Sequence, residues 1–362
     1  MNRRTSWILL LALRGLLSCS REAREGPKTA KTAKTAKTAR QAGDASSGSL
    51  RPKVVVLIVL DQFGQWVFEK YLPLLPEDGA LRRAKQQGTS LVAAYPYANT
   101  ATAPGHATLA TGVTPSVHGI VANQVYDPSL GSRQTVDDRR HEVIGGLDRY
   151  AAPTMLLAPT VADMLHEHSG GSAQITGLSM KARSAVLSVG RHADAALFFD
   201  ANAAGFTTST YYAHEGALPD WLVDFNARAS IKKKLSVWEP GNPGWLRENF
   251  GPDEAPGEAE VFGWGTSFPY DPRDTLTPLS AFPFTAQSTE LFFEAGLAAV
   301  EAQNMGRDEV PDFLVLSVSG TDLVGHVWGP WSWEYADNLL RTDRALQSFL
   351  ERLERRGPIA VV

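Results

Sequence analysis

The folded part of the chain opens on an unbroken apolar run, VVVLIVL from Val54 to Leu60. A run this short, rich in β-branched residues and without polar alternation, predicts a strand buried on both faces of a parallel sheet. It ends on Asp61. Far along the chain the plan recurs in FLVLSV, Phe313 to Val318, with Asp322 and His326 just beyond. Ligand sites in open α/β sheets form outside the carboxyl ends of the strands. Two buried strands that each deliver an acidic residue at that edge therefore predict one shared site. Between them, PTVADMLHEH and TELFFEAGLAAVEAQ read as helices, and EYADNLLRTDRALQSFLERLERRG reads as an amphipathic helix with a basic end and a glycine stop. PIAVV then begins another apolar strand. Residues 206–284 differ: rich in Trp, Pro and Gly and weakly periodic, they predict an insertion capping the sheet edge. The fold class expected is α/β, a mostly parallel sheet flanked by helices.

The stretch NTATAPGHATLATGVTPSVHGIVAN, residues 99–123, carries a second pattern. Thr102-Ala103-Pro104 reads as a helix start, with proline in the first turn and Gly112 as the stop. A threonine there faces free N–H groups and the positive end of the helix dipole, which favour an alkoxide and a bound phosphate. A lone threonine at such a position is most often a simple cap. To act as a nucleophile near neutral pH it needs a base or a metal. Asp61, Asp322 and His326 are oxygen and imidazole donors of the kind that bind zinc. The Asp-x-x-x-His spacing puts Asp322 and His326 on one face of a helix, although pairs so spaced are more often surface ion pairs.

Composition narrows the class less than the N-terminus does. The 362 residues are 43% hydrophobic and 20% charged, ordinary for a globular protein with a sizeable core. A net charge of −4 gives no sign of a nucleic-acid partner. The single cysteine, Cys19, rules out an intramolecular disulfide and a multi-thiolate metal site. It follows MNRRTSWILLLALRGLLS, a basic start and an apolar run too short to span a bilayer, which reads as a secretory signal despite Arg14 within the run. Leu16-Leu17-Ser18-Cys19 resembles a bacterial lipobox, so residues 1–19 are expected to direct export and lipidation of Cys19. The protein would then be periplasmic or anchored to the outer membrane. Residues 20–50, with their Lys-Thr-Ala repeats and Ser/Gly stretch, are expected to be a disordered tether. The basic tether could rest on anionic headgroups, though such segments are more often plain spacers.

Four blocks, LDQFG, TAPGHATLATGVTPSVHGIVAN, KARS and GTDLVGHVWG, resemble the alkaline phosphatase superfamily. They are closest to its threonine-nucleophile, phosphate-irrepressible bacterial type and are also similar to nucleotide pyrophosphatase/phosphodiesterases. The resemblance runs from about Lys53 onward and makes residues 51–362 the catalytic domain. It implies Thr102 as the nucleophile and Asn123 as the group that holds a phosphoryl oxygen. It also implies Asp61 and Thr102 as donors to one zinc, with Asp322 and His326 as donors to a second. Lys181 and Arg183 match a Lys-x-Arg pair that the monoesterase type aims at the phosphoryl group. His106 and His118 match structural positions. Two cations suit the double charge of a phosphate monoester, and fixed cations stabilise the charge of the transition state. On a strand, Lys181 and Arg183 would point to one face.

The implied function is metal-dependent hydrolysis of phosphate monoesters through a phosphothreonine intermediate, with two zinc ions as cofactors. Each zinc has only two donors in this chain. The superfamily supplies the rest from an Asp-His pair and a later His beyond the strand that here is PIAVV, and the remaining histidines, at 141, 166, 168, 192 and 214, match no ligand block. The chain is thus expected to be a C-terminally truncated form, with an uncovered sheet edge, weak zinc binding and little turnover. Three alternatives remain open: a phosphodiesterase, a non-catalytic phosphate-ester-binding lipoprotein, and a phosphoethanolamine transferase. The last usually has several membrane helices ahead of the catalytic part.

Overall fold

A computed structural model describes residues 51–362; the signal, lipobox and tether expected over 1–50 lie outside the described residues. The first half runs β1 (Val54–Leu60), α1 (Gln65–Tyr71), α2 (Ala80–Gln87), α3 (Thr102–Thr111), α4 (Pro115–His118), β2 (Gln124–Asp127) and β3 (Gly131–Gln134). Then come α5 (Val161–His168), β4 (Ile175–Ser179), α6 (Ala182–Val189), β5 (Ala195–Asp200) and β6 (Gly205–Thr207). The Trp-rich segment holds α7 (Asp220–Ala229), α8 (Ile231–Lys234), α9 (Pro243–Phe250) and α10 (Pro278–Ala281). The chain continues through α11 (Ala286–Ala302), β7 (Asp312–Val318), α12 (Gly320–Trp328), α13 (Trp333–Glu354) and β8 (Ile359–Val361).

Six strands form one sheet in the order β6-β5-β4-β7-β1-β8, while β2 and β3 make a separate hairpin. Every pairing in the large sheet is parallel except β5 with β6. The apolar runs read from the sequence are its central strands, and they are apolar throughout because both faces are covered. Along β1, Val54 and Val56 enter one core while Val55 and Leu57 pack on the other. The same alternation sends Leu314, Leu316 and Val318 of β7 one way and Phe313 and Val315 the other. Helices α11 and α13 cover the first face through Phe292 and Phe349; α3 and α6 cover the second through Ala107 and Val186.

The Trp-rich segment begins inside the sheet, since β6 pairs antiparallel with β5 and Phe206 is fully buried. Further on, Trp238, Trp264 and Tyr270 pack in a third core with Val324 and Trp328 of α12 and with Tyr335 and Leu339 of α13. This aromatic core therefore backs the helix that carries Asp322. No described helix is long and apolar enough to cross a membrane.

Candidate active site

Three adjacent parallel strands end side by side. The register sets Leu60 of β1 beside Val318 of β7, and Ser317 of β7 beside Ser179 of β4. Continuing each strand by a few residues delivers Asp61, Asp322 and Lys181 to one edge of the sheet. The Lys181 ammonium lies between the two acids, donating to Asp61 Oδ2 at 2.7 Å and to Asp322 Oδ2. The Thr321 hydroxyl donates to the Asp61 carbonyl at 2.6 Å, and Asp61 N donates to the Val318 carbonyl at 3.1 Å, so the start of α12 is tied to the end of β1. Gln62 follows with φ at 58°, the left-handed region that side chains rarely adopt, and this turns the chain sharply at the sheet edge. With its amide nitrogen turned toward the acid, Gln62 donates to Asp322 Oδ1 at 3.1 Å.

Helix α3 brings the threonine. It starts at Thr102 and stops at Gly112, which has φ of 70°, as the sequence predicts. The Thr102 hydroxyl donates to Asp61 Oδ2 at 3.4 Å, a long contact. Asn123 accepts from the Ala103 N–H through Oδ1 at 2.8 Å. Its amide nitrogen is thereby kept as a donor beside the helix start. His106 is buried, with Nδ1 against the Thr102 carbonyl at 2.8 Å and Nε2 against the Ser317 hydroxyl at 2.7 Å. His118 is also buried; Nε2 meets the Thr108 hydroxyl at 3.0 Å and Nδ1 accepts from Ile120 N at 3.1 Å. Both rings join helix α3 to its surroundings with both nitrogens used.

Asp322 and His326 lie one turn apart on α12, with His326 Nε2 3.3 Å from Asp322 Oδ1 and the imidazole mostly exposed. The Lys-x-Arg pair requires a correction. Lys181 and Arg183 are not on a strand, because β4 ends at Ser179; Lys181 is the N-cap of α6 and Arg183 lies in its first turn. What sends both toward the acids is the strand-to-helix turn. Arg183 is largely buried and its Nε has no hydrogen-bond partner.

Opposed effects set the charges here. Burial pushes the Asp61 carboxyl up, but Lys181, His106 and Arg183 outweigh it and hold Asp61 below its usual value. Burial pulls His106 down, opposed by Asp61 and by its bond to the Thr102 carbonyl. Burial also lowers Arg183, opposed by Asp61 and Asp322. A cleft of about 430 Å³ opens beside Asp61, lined also by Thr102, His106, Phe63, Trp66 and Pro330. Tyr335 also lines it, with a buried hydroxyl that has no partner and whose ionisation is suppressed, chiefly by burial and further by Asp322.

Metal donors of suitable kind are present in two pairs, Asp61 with Thr102 and Asp322 with His326. Among the described residues no group of three or more His, Cys, Asp or Glu side chains is placed to hold a metal ion. A catalytic zinc takes three protein ligands. The pairs thus fit a divalent ion in donor type and are short in number, and Lys181 offsets part of the charge of the acids. The sequence reading missed Gln62, Ser317, Thr321 and Tyr335. Thr321 sits within a motif block already singled out, but nothing local shows that it reaches Asp61, 260 residues away in sequence.

A model of the family described as type I phosphodiesterase / nucleotide pyrophosphatase matches residues 55–362. The chain belongs to that family. The type I phosphodiesterase / nucleotide pyrophosphatase family comprises phosphoric ester hydrolases. Within this wider set the chain is similar to alkaline phosphatase PafA of Elizabethkingia meningoseptica, 32% identical over 316 residues that make up 84% of this chain and 57% of the relative. It is also similar to alkaline phosphatase PhoV of Synechococcus elongatus, 31% identical over 84% of this chain and 56% of the relative. The crystal structure of wild-type PafA superposes with a TM-score of 0.78 at 30% identity, covering 86% of this chain and 62% of that one. The chain thus spans a little over half the length of the relatives it matches, and it shares the fold of PafA over the span they have in common.

Proposed function

We propose that this chain carries phosphate monoester hydrolysis with Thr102 as the nucleophile. The observation that carries the reading is the placement of Thr102 at the start of a buried helix, its hydroxyl toward Asp61 and within the field of Lys181 and Arg183. The Thr102 hydroxyl gives up its proton to solvent as its oxygen attacks phosphorus and forms a phosphothreonine; the ester P–O bond breaks and the leaving alkoxide takes up a proton from solvent. Water then cleaves the new O–P bond, returning the threonine hydroxyl and releasing inorganic phosphate. Asn123 offers its amide nitrogen to a phosphoryl oxygen, fixed by the bond its Oδ1 makes to Ala103. Arg183, with a guanidinium nitrogen unpartnered, supplies positive charge to the doubly charged group. His106 holds the carbonyl of Thr102 and takes no proton from it.

A divalent ion held by Asp61 with Thr102, or by Asp322 with His326, would supply Lewis acidity that makes a hydroxyl nucleophilic near neutral pH. Because each pair is one donor short, zinc is expected to bind weakly and turnover to be low. A second reading, diester hydrolysis, draws on the description of the family itself. An assay with zinc present decides between them: aryl phosphate is expected to be cleaved faster than the bis-aryl ester, with the preference reduced in Arg183→Ala. Faster cleavage of the diester, unchanged in that variant, would establish the second reading. Export and lipid attachment at Cys19 belong to the same proposal, and loss of membrane recovery in Cys19→Ala is its test.

A further inference from the structure

The acids that would hold metal are already paired with a cation from the chain itself. Lys181 caps α6 from the end of β4, and its ammonium contacts Asp61 Oδ2 and Asp322 Oδ2 together, with all three side chains about nine-tenths buried. Those acids stand at the ends of the neighbouring strands β1 and β7, so without an intervening positive charge two carboxylates would face each other in a site with little water. Like charges so placed repel strongly at low dielectric. Arg183 and His106 add positive charge near Asp61, but Lys181 is the cation that bonds to both acids, while His326, mostly exposed, contacts Asp322.

We propose that Lys181 is the resident cation of this acidic pair, and that a divalent ion enters only by displacing it. The inference rests on the reading of Asp61 and Asp322 as metal donors. It gives Lys181 two positions. Without metal it bridges the carboxylates and keeps the three strand ends together. With metal it is released toward the cleft, where its charge can meet a phosphoryl group. Metal loading and the supply of that cation would then be one event, so a chain without metal also lacks a free lysine for substrate.

The test uses the full chain with zinc alone as the probe, read by calorimetry and by amine labelling. Replacing Lys181→Met removes the competing charge and is expected to tighten zinc binding at least about tenfold. Lys181→Arg, which keeps a cation there, is expected to stay within a few-fold of the parent. In the parent chain zinc is expected to increase acylation of the Lys181 amine, read by mass spectrometry, and this readout does not depend on any variant folding. Equal zinc affinity in parent and Lys181→Met, or Lys181 labelling indifferent to bound zinc, would overturn the proposal. Zinc uptake that survives Asp61→Asn with Asp322→Asn, or no uptake by any chain, would instead overturn the donor reading on which it rests.

Discussion

Two regions of this molecule bury carboxyl groups, and they handle the charge in opposite ways. At the strand ends Asp61 stays ionised, because Lys181, His106 and Arg183 outweigh the cost of burial. In the aromatic core behind α12, Glu334 is fully buried and pairs with no cation among the described residues. Burial pushes it up to about 8, with Asp253 and Glu258 adding to the shift. Its partner is the Tyr270 hydroxyl, 2.6 Å from Oε1. A buried acid can be kept charged by a counter-charge or kept neutral by its surroundings. At the strand ends the fold uses the first solution. In the aromatic core it uses the second, with Glu334 Oε1 bonded to Tyr270 and Oε2 unpartnered.

The comparison can be broken in several places. The largest effect is expected on chemistry. Thr102→Ala should reduce any zinc-dependent phosphate ester turnover by about a thousandfold or more, while Thr102→Ser retains part of it, as judged by kcat/KM. Next is the charged region: with metal removed by a chelator, Lys181→Met should cost about 3–5 kcal/mol of stability in denaturant titration, because it removes the cation that bridges the two buried carboxylates. An unchanged midpoint would mean that the ammonium contributes nothing to holding the strand ends.

The neutral region answers to pH. Since the folded Glu334 carboxyl titrates near 8, above its unfolded value, its contribution is fully present below the unfolded range and is lost as pH rises toward about 8. Glu334→Gln should flatten that slope, worth roughly 3–5 kcal/mol across the interval. Glu258, pushed up to about 7 chiefly by burial, adds a smaller loss in the same direction. The smallest effect tests how closely the two regions are joined. A Cβ at Gly325 would meet the Tyr335 ring at 3.1 Å, so Gly325→Ala should cost about 1–2 kcal/mol by thermal unfolding and shift the wall of the cleft.

The sequence was most legible where the physics is local. The run Val54–Leu60 is β1 without adjustment, and the second run begins one residue earlier than expected, at Asp312, whose buried carboxylate accepts from Gln174 N and Gly306 N. Gly112 stops α3 in the left-handed conformation that glycine permits. The helical spacing of Asp322 and His326 holds as well. Legibility fell where a role depends on a partner far away in sequence. Lys181 looked like a strand residue because Ser179, where β4 stops, gives no local stop signal. The aromatic segment showed no period because much of its packing is against α12 and α13, far away in sequence. The acceptor role of Asn123 toward Ala103 could not be seen without the fold, since its amide fits either end of a hydrogen bond.

Phosphate is expected to become attached to Thr102 during turnover. Acid-quenched chain, sampled during turnover of an aryl phosphate with zinc, should carry a phosphate on the peptide containing Thr102, and the adduct should disappear in Thr102→Ala together with turnover. Phosphate found on another residue, or turnover that persists in Thr102→Ala, would contradict it.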